Sequence, residues 1–413
     1  MRQSRGPGVP RPKLGIVAHA PIQYHTPLFQ LLAKRNNIDV DVLFLSDRGV
    51  TATLDQGFGL TVAWDIDLLS GYPHSFLTMH RTPVSIVKRL RTLVSWVPLH
   101  DAIVANGYTI PWVLLTMVIC RMRGVPYLLR ASSHPQGEST GIRRYLRWAV
   151  TRLVVAGSSG ALSMGHLNDD FYRQLHAHSV TFAPNSVDDA RFGAAPPIGR
   201  SDLLAKWDLK SDRPVILFCG KLMPLKRPLD VIAAVKCLPE ETCMLFVGDG
   251  ILAEIVQASL SSICGAVTGF VNQSDLPNYY HAADILVLPS EWETWGLVVN
   301  EAMAAGTLPV VSDRVGCGPD LVNGVGEIYS CGDIPGLAAA LSRALERIKE
   351  PDIRDRVRRH VAPYGLLHTA IGYEQATLSV AKQASTAAGE CPINGVTGIA
   401  SSWWCWGRSG LRR

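Results

Sequence analysis

The sequence predicts an α/β protein of two lobes, each a parallel sheet with crossover helices, facing one another across a cleft. Short β-branched runs alternate with helical stretches almost from end to end, the pattern of parallel strands joined by crossover helices. That alternation breaks at Gly193–Gly199, where Gly, Ala and Pro cluster, and then restarts. The length agrees: 413 residues exceed one ordinary domain and suit two, each able to bury its own core.

In the first half, strands are expected at Leu14–Ala18, Val40–Leu45, Ala102–Ala105, Tyr127–Arg130, Gly160–Ser163 and Thr181–Ala183. Helices lie between them, including Thr26–Arg35, Ile110–Arg123 and Ile142–Val155. The stretch from Ser46 to His80 departs from this rhythm, carrying Gly57, Gly59, Gly71 and Pro73 together with Trp64, Tyr72 and Phe76. Loops of that length in compact domains are usually functional. In the second half, strands are expected at Val215–Cys219, Met244–Val247, Ala266–Thr268, Ile285–Leu288 and Leu308–Val311. The division is therefore an N-terminal lobe over 1–192 and a C-terminal lobe over 200–363. A helix at 364–384 crosses back over the linker, and a tail at 385–413 has no assigned structure. Open parallel sheets bind ligands at the carboxyl ends of their strands, so loops following strands are the places to look.

The charge balance, 40 Lys+Arg against 35 Asp+Glu, is mildly basic. It excludes a nucleic-acid-binding profile and leaves room for anionic ligands or an anionic membrane surface. The nine cysteines are scattered without a Cys-x-x-Cys pair, and Cys219 and Cys243 sit in apolar runs as small hydrophobes. A reducing cytosol is the simpler expectation. Residues Met1 to Lys13 lack the apolar core of a signal peptide, and the longest apolar run, Ile110 to Cys120, is too short to span a bilayer. A cytoplasmic protein, soluble or peripheral at the inner face of the membrane, is expected.

Two elements carry chemistry. Phe218-Cys219-Gly220-Lys221-Leu222-Met223-Pro224-Leu225-Lys226-Arg227-Pro228 reads as strand, glycine turn, two lysines, and a proline that opens a helix. Free backbone N–H groups and two full positive charges suit a pyrophosphate, with a solvated basic turn as the plain alternative. The second element runs from Pro289 to Gly306: a strand ends, a loop carries Glu293, and a helix from about Gly296 to Ala305 carries Glu301. At a rise of ~1.5 Å per helical residue the two carboxylates stand roughly 8–12 Å apart. That spacing suits the sugar and the ribose at opposite ends of a nucleotide diphosphate, because a carboxylate accepts from two neighbouring hydroxyls at once. The neighbours Val298, Val299, Ala302 and Met303 are apolar all round, so an unpartnered Glu301 would be costly as mere packing.

These elements resemble the retaining glycosyltransferases of family 4, which carry a Glu-x7-Glu motif on the GT-B fold of two Rossmann-like lobes. Glu293 and Glu301 match its spacing, Pro289 and Ser290 its start, and Gly296, Leu297 and Ala302 its body. Thr294 and Trp295 stand where the family usually has Gly and Phe. Gly220-Lys221 with Lys226 is similar to the family's Gly-Arg and Lys phosphate grip, Lys221 keeping the charge without the bidentate fork. Further matches are Val247-Gly248-Asp249-Gly250, Gly269-Phe270-Val271 before Leu276 and Tyr280, Ser312 to Asp320, and Pro184-Asn185-Ser186-Val187-Asp188; specific motifs cover roughly 180–350. The resemblance implies a UDP- or GDP-sugar donor, transfer with retained configuration, and no cofactor or obligatory metal. It implies that Glu293 contacts the transferred sugar, that Glu301 contacts the ribose, and that Gly269, Phe270 and Val271 lie against the base. Lys221, Lys226 and the helix start at Gly296–Leu297 would stabilise the departing phosphate.

The N-terminal lobe gives less. The turn bearing Gln23, Tyr24 and His25 follows the first strand, and Arg130 and His134 follow another, so these are candidates for acceptor or phosphate contacts, His134 also for catalysis. The long loop's Trp64-Asp65 and Gly71-Tyr72-Pro73 resemble bacterial polysaccharide-biosynthesis members, and their aromatic faces suit a saccharide acceptor, with a lid packed on the lobe as the equal alternative. The resemblance implies a saccharide or lipid-linked acceptor in exopolysaccharide, capsule or lipopolysaccharide assembly. Arg143, Arg144, Tyr145, Arg147 and Trp148, with Lys88, Arg89 and Arg91, are a candidate contact for anionic lipid, against a solvated helix face. Rival readings stay open. Gly248-Asp249-Gly250-Ile251-Leu252-Ala253 fits a dinucleotide fingerprint, but on the lobe's second strand, with Gly269-Phe270 where the ribose-binding acid belongs. A sugar-nucleotide epimerase on the same fold, or a binding protein without turnover, are the others. Asp169-Asp170 and Asp188-Asp189 read as turn and cap residues rather than metal ligands.

Overall fold

A computed structural model describes residues 11–55, 57–79, 84–132, 142–238 and 242–389. The N-terminal lobe begins with β1 (Lys13–Ala18), α1 (Thr26–Arg35) and β2 (Asp39–Phe44). The long loop then forms β3 (Thr53–Asp55), β4 (Leu60–Val62) and β5 (His74–Phe76). Next come α2 (Ile86–Trp96), β6 (Ala102–Asn106), α3 (Pro111–Arg123) and β7 (Tyr127–Arg130). The lobe closes with α4 (Ile142–Gly157), β8 (Gly160–Ser163), α5 (His166–Gln174) and β9 (Val180–Phe182). Two short helices, α6 (Asp189–Gly193) and α7 (Arg200–Ala205), make the crossing between lobes.

The C-terminal lobe runs β10 (Val215–Cys219), α8 (Pro228–Val235), β11 (Cys243–Val247), α9 (Ala253–Ser259) and β12 (Gly265–Val267). It continues with α10 (Leu276–Ala282), β13 (Ile285–Leu288), α11 (Leu297–Ala305), β14 (Leu308–Ser312) and β15 (Glu327–Tyr329). The chain ends in α12 (Ile334–Arg347), α13 (Ile353–Val361) and α14 (Leu366–Gly389).

Seven strands form the first sheet in the order β5-β2-β1-β6-β7-β8-β9, and six form the second in the order β12-β11-β10-β13-β14-β15. Every pairing within these two sheets is parallel. Both strand orders reverse beside the first strand of their lobe, which places a crevice at the carboxyl ends of β1 and β6 and of β10 and β13. This is the GT-B architecture of two Rossmann-like lobes. The strands are buried on both faces, so they read as continuous apolar runs such as Val-Ile-Leu-Phe-Cys in β10. One cluster fills the C-terminal lobe, and two flank the N-terminal sheet, one on each face.

Helix α14 crosses back. Its Ala370, Tyr373, Ala376 and Val380 join the cluster under α1, and Arg35 grips Glu374 with Nε at 2.7 Å and Nη2 at 2.9 Å. It continues to Gly389, past the point where the sequence reading begins its tail; 390–413 lie outside the described residues.

Three features differ from expectation. The long loop holds an antiparallel hairpin, β3–β4, and a sheet strand, β5, each only three residues long and so below the reach of periodicity. The equally short β15 was also not anticipated. Cys243, expected as a free thiol, is disulfide-bonded to Cys264, their Cα atoms 4.7 Å apart. The register explains the meeting: Met244 pairs with Gly265 between parallel β11 and β12, which sets the preceding cysteines side by side. Among the described residues, no helix is long and apolar enough to cross a membrane.

Candidate functional site

The second lobe's crevice is built from three backbone turns zipped together. Gly220 donates to Val247 O at 2.9 Å, Leu222 to Asp249 O at 2.8 Å, and Gly248 to Gly269 O at 2.9 Å. The approach is close enough that a Cβ on Gly248 would sit 1.9 Å from the Gly220 carbonyl oxygen, and φ at Gly248 is +142°. Only glycine serves there. The fingerprint glycines thus support the turn after β10 instead of cradling a ligand at a lobe's first strand.

Lys221 and Lys226 leave that turn. A single 3-10 turn, Pro224–Lys226, ends at left-handed Arg227, and Pro228 starts α8. Lys226 forms an ion pair with Glu293, which also accepts from Ser290 Oγ at 3.4 Å. Burial, then the like charge of Lys221, holds the Lys226 ammonium down to about 8. The loop bearing Glu293 is held along a second loop: Glu293 N donates to Arg314 O at 3.2 Å and Gly316 N returns to Glu293 O at 3.0 Å. Gly296, at φ +99°, then turns the chain into α11.

On α11, Glu301 is 1% exposed. Tyr280 donates to its Oε2 at 2.5 Å, while Oε1 accepts no hydrogen bond. Burial raises this carboxyl to about 7, against the opposing influence of Tyr280, Arg191 and Tyr24. Tyr24 comes from the other lobe, packs against the C-terminal core, and has its own pKa driven up by burial and by Glu301. Glu293 and Glu301 therefore stand on one loop-and-helix unit, the first exposed to the lysines and the second sealed under two tyrosines.

The N-terminal lobe reaches over this crevice through the long loop. Lys221 Nζ lies 2.7 Å from Asp55 Oδ1 and 4.9 Å from the centre of the Phe58 ring. Phe270 meets Phe58 edge-on at 5.0 Å and Trp64 at 6.3 Å. Asn272 Nδ2 donates to Ala63 O at 2.8 Å, and Ser274 N to Asp65 Oδ1 at 3.1 Å. The hairpin β3–β4 and the residues after it thus cap the turns that carry Lys221 and Gly269–Val271. Val271 and Leu297 pack on the C-terminal core.

The other candidates fall elsewhere. Trp295 is buried where the lobes meet, its Nε1 donating to Asn300 Oδ1 at 2.8 Å and its ring 6.1 Å from Tyr364; its side chain does not join the two lysines. Thr294 is exposed and lines a small pocket between the lobes with Trp295, Ser132, Met164 and Leu167. Arg130 is 4% exposed and donates to Ala183 O at 2.6 Å and Pro184 O at 3.2 Å, so it braces the crossing between lobes instead of presenting charge to the cleft. Gln23 is buried beside Tyr24. His25 is held at about 4 by burial, with Arg130 adding, so its ring is neutral. His134 lies outside the described residues. Asp188 caps α6 through Arg191 N, and Asp169 pairs with Arg173. Among the described residues, no group of three His, Cys, Asp or Glu side chains is placed to hold a metal ion.

Sequence reading missed Asp55, Phe58, Arg191 and the role of Tyr280. Asp55, Phe58 and Arg191 lie in no motif, whereas Tyr280 belongs to the stretch after Gly269-Phe270-Val271 without a role assigned to it. Each reaches the site through the fold: 166 residues separate Asp55 from Lys221, and 21 separate Tyr280 from Glu301.

Fold and crevice define a GT-B protein, and the family comparison agrees for the C-terminal lobe. Residues 200–359 match the model of glycosyl transferases group 1. The chain is 27% identical over 254 residues to UDP-Gal:alpha-D-GlcNAc-diphosphoundecaprenol alpha-1,3-galactosyltransferase of Escherichia coli, covering 56% of this chain and 63% of that one. It is 28% identical over 225 residues to D-inositol 3-phosphate glycosyltransferase of Xylanimonas cellulosilytica, covering 51% of this chain and 52% of the relative. Each of these relatives is matched over less than two thirds of its own length. In three dimensions the chain is similar to Anabaena HepE in complex with UDP-glucose, with a TM-score of 0.66 at 16% identity, over 91% of this chain and all of that one.

Proposed function

We propose that this protein is a retaining glycosyltransferase of family 4 that moves a sugar from a UDP- or GDP-sugar to a saccharide or lipid-linked acceptor in the cytoplasm. The observation that carries the reading is the Glu301 carboxylate, sealed in α11 with one oxygen unsatisfied. A buried carboxylate oxygen without a donor is costly, and a ribose hydroxyl supplies the missing O–H partner. Tyr280 also donates to Cys219 Sγ at 3.3 Å, at the start of the turn whose Lys221 and Lys226 are paired with Asp55 and Glu293. A diphosphate would take over those charges as it departs from the sugar, and preorganised donors of this kind are each worth about 3 kcal/mol in other enzymes. Glu293 would turn from Lys226 toward the transferred sugar. The alpha-linkages formed by the galactosyltransferase relative and the UDP-glucose held by HepE support the same class of donor and outcome. Exopolysaccharide, capsule or lipopolysaccharide assembly is the pathway class proposed. Nothing in the comparisons favours an epimerase or a binding protein without turnover.

The test is release of UDP or GDP from nucleotide sugars with and without saccharide and lipid-linked acceptors. Release that depends on acceptor, and falls at least ~10-fold in Lys226→Ala, about 1.4 kcal/mol of barrier, is expected. Donor binding with no acceptor-dependent release would leave a binding protein instead.

A further inference from the structure

Helices α2, α3 and α4 lie side by side on one face of the N-terminal sheet. Leu93 and Trp96 of α2, Val113 and Met117 of α3, and Val155 of α4 all face the same core. The helices are stapled laterally: the Arg89 guanidinium lies 5.7 Å over the Trp112 ring, and Arg121 Nη1 donates to Gly157 O at 3.3 Å. Their opposite side, turned to solvent, is unusual in two independent respects.

First, it is apolar. Ile86 is 72% exposed, Met122 79%, Tyr145 74% and Leu153 75%, and Val87 and Trp148 accompany them. A surface helix ordinarily keeps such residues on its inner side. Second, its charge has one sign. The three helices carry three, two and four Lys or Arg residues and not one Asp or Glu. Over the whole chain the two signs nearly balance, 40 against 35. Lys88, Arg91, Arg121, Arg123 and Arg152 are exposed among the apolar side chains.

We infer that the outer face of α2, α3 and α4 docks onto an anionic lipid bilayer. Exposed Tyr, Trp, Leu, Met and Ile enter the headgroup region while the basic side chains meet lipid phosphates. Charge selects this occupant. A second copy of the chain would set like charges against like, and residues 390–413 carry Arg408, Arg412 and Arg413 against a single acid, Glu390. Geometry gives the docking a use. Helices α2 and α4 start where β5 and β7 end, so Ile86 and Tyr145 mark the cleft side of the lobe. Docked there, the acceptor side of the cleft opens at the membrane surface, within reach of a lipid-linked acceptor. That last step rests on the transferase reading; the docking itself does not.

The experiment is co-sedimentation of the full chain with vesicles of phosphatidylcholine alone or mixed with phosphatidylglycerol, at low and high salt. Variants Met122→Glu with Leu153→Glu, and Arg91→Glu with Arg123→Glu, change only this face. The wild type should bind the mixed vesicles, lose binding at high salt, and ignore phosphatidylcholine, and each double variant should bind at least about fivefold more weakly. UDP titration of the same preparations verifies the fold, and its failure alone would touch the transferase reading and not the membrane. Three results would overturn the inference: absent or composition-independent vesicle binding, variants that bind like wild type, or a dimer in ultracentrifugation that Leu153→Glu dissolves.

Discussion

Lys221 of the C-terminal lobe and Asp55 of the N-terminal lobe meet at 2.7 Å, so the lobes are joined through one of the two cations proposed to meet the donor phosphate. Both side chains are one-third exposed, and such pairs are worth about 0.2–1 kcal/mol. Asp55→Asn should remove this competitor and tighten UDP binding by ~2–5-fold, less so at high salt. Calorimetric titration measures it. Weaker binding in Asp55→Asn would mean that Asp55 helps to hold the ligand.

Glu301 gives the site a pH dependence. Its carboxyl is raised from 4.5 to about 7, chiefly by burial. In the fold the proton is held more tightly, so the stability this contributes is fully present below 4.5 and lost as pH rises to about 7. Ribose hydroxyls favour the carboxylate. Donor affinity should therefore fall below about pH 7, approaching tenfold per unit, and Glu301→Gln should flatten the profile. A steep profile surviving in Glu301→Gln would assign the proton elsewhere.

Gly248 is a backbone requirement. An added Cβ would lie 1.9 Å from the Gly220 carbonyl oxygen, and backbone cannot step aside as a side chain can. Gly248→Ala should cost roughly 2–4 kcal/mol in denaturant unfolding and weaken UDP binding, because the turn carrying Lys221 would shift. Wild-type stability in this variant would show that the turns separate freely.

Asp320 ties three elements. Its Oδ1 accepts from His166 N at 3.0 Å, Tyr364 OH at 3.0 Å and the His166 ring at 2.8 Å, linking the C-terminal lobe to the start of α5. The carboxylate is buried, so Asp320→Ala should strand donors and cost about 1–3 kcal/mol. Small-angle scattering should also show a wider spread of lobe separations than in wild type. An unchanged profile would mean that the remaining contacts, among them Lys221–Asp55, Asn272–Ala63 and the α14 crossing, hold the lobes without Asp320.

Much of this architecture was legible before any coordinates. The runs Val-Ile-Leu-Phe-Cys and Ile-Leu-Val-Leu lie in strands buried on both faces, which makes them conspicuous, and Gly306 marks the end of α11 by its left-handed φ of +86°. What stayed hidden depends on distance along the chain. Nothing local marks Asp55 as the partner of Lys221, or sets Cys243 against Cys264 across a strand-helix-strand crossover. Arg130 is a different case: its place at the end of β7 is readable in the sequence, but the hydrogen bonds of its guanidinium to the carbonyls of Ala183 and Pro184, more than fifty residues on, are not.

The most direct measurement is a calorimetric titration of UDP and GDP into wild type, Glu301→Ala and Lys226→Ala. Wild type should bind one of the two nucleotides at a single site. Each substitution should weaken that binding at least ~10-fold, or about 1.4 kcal/mol. Equal affinity in all three proteins, or no binding of either nucleotide by the wild type, would contradict a donor site built on Lys226 and Glu301.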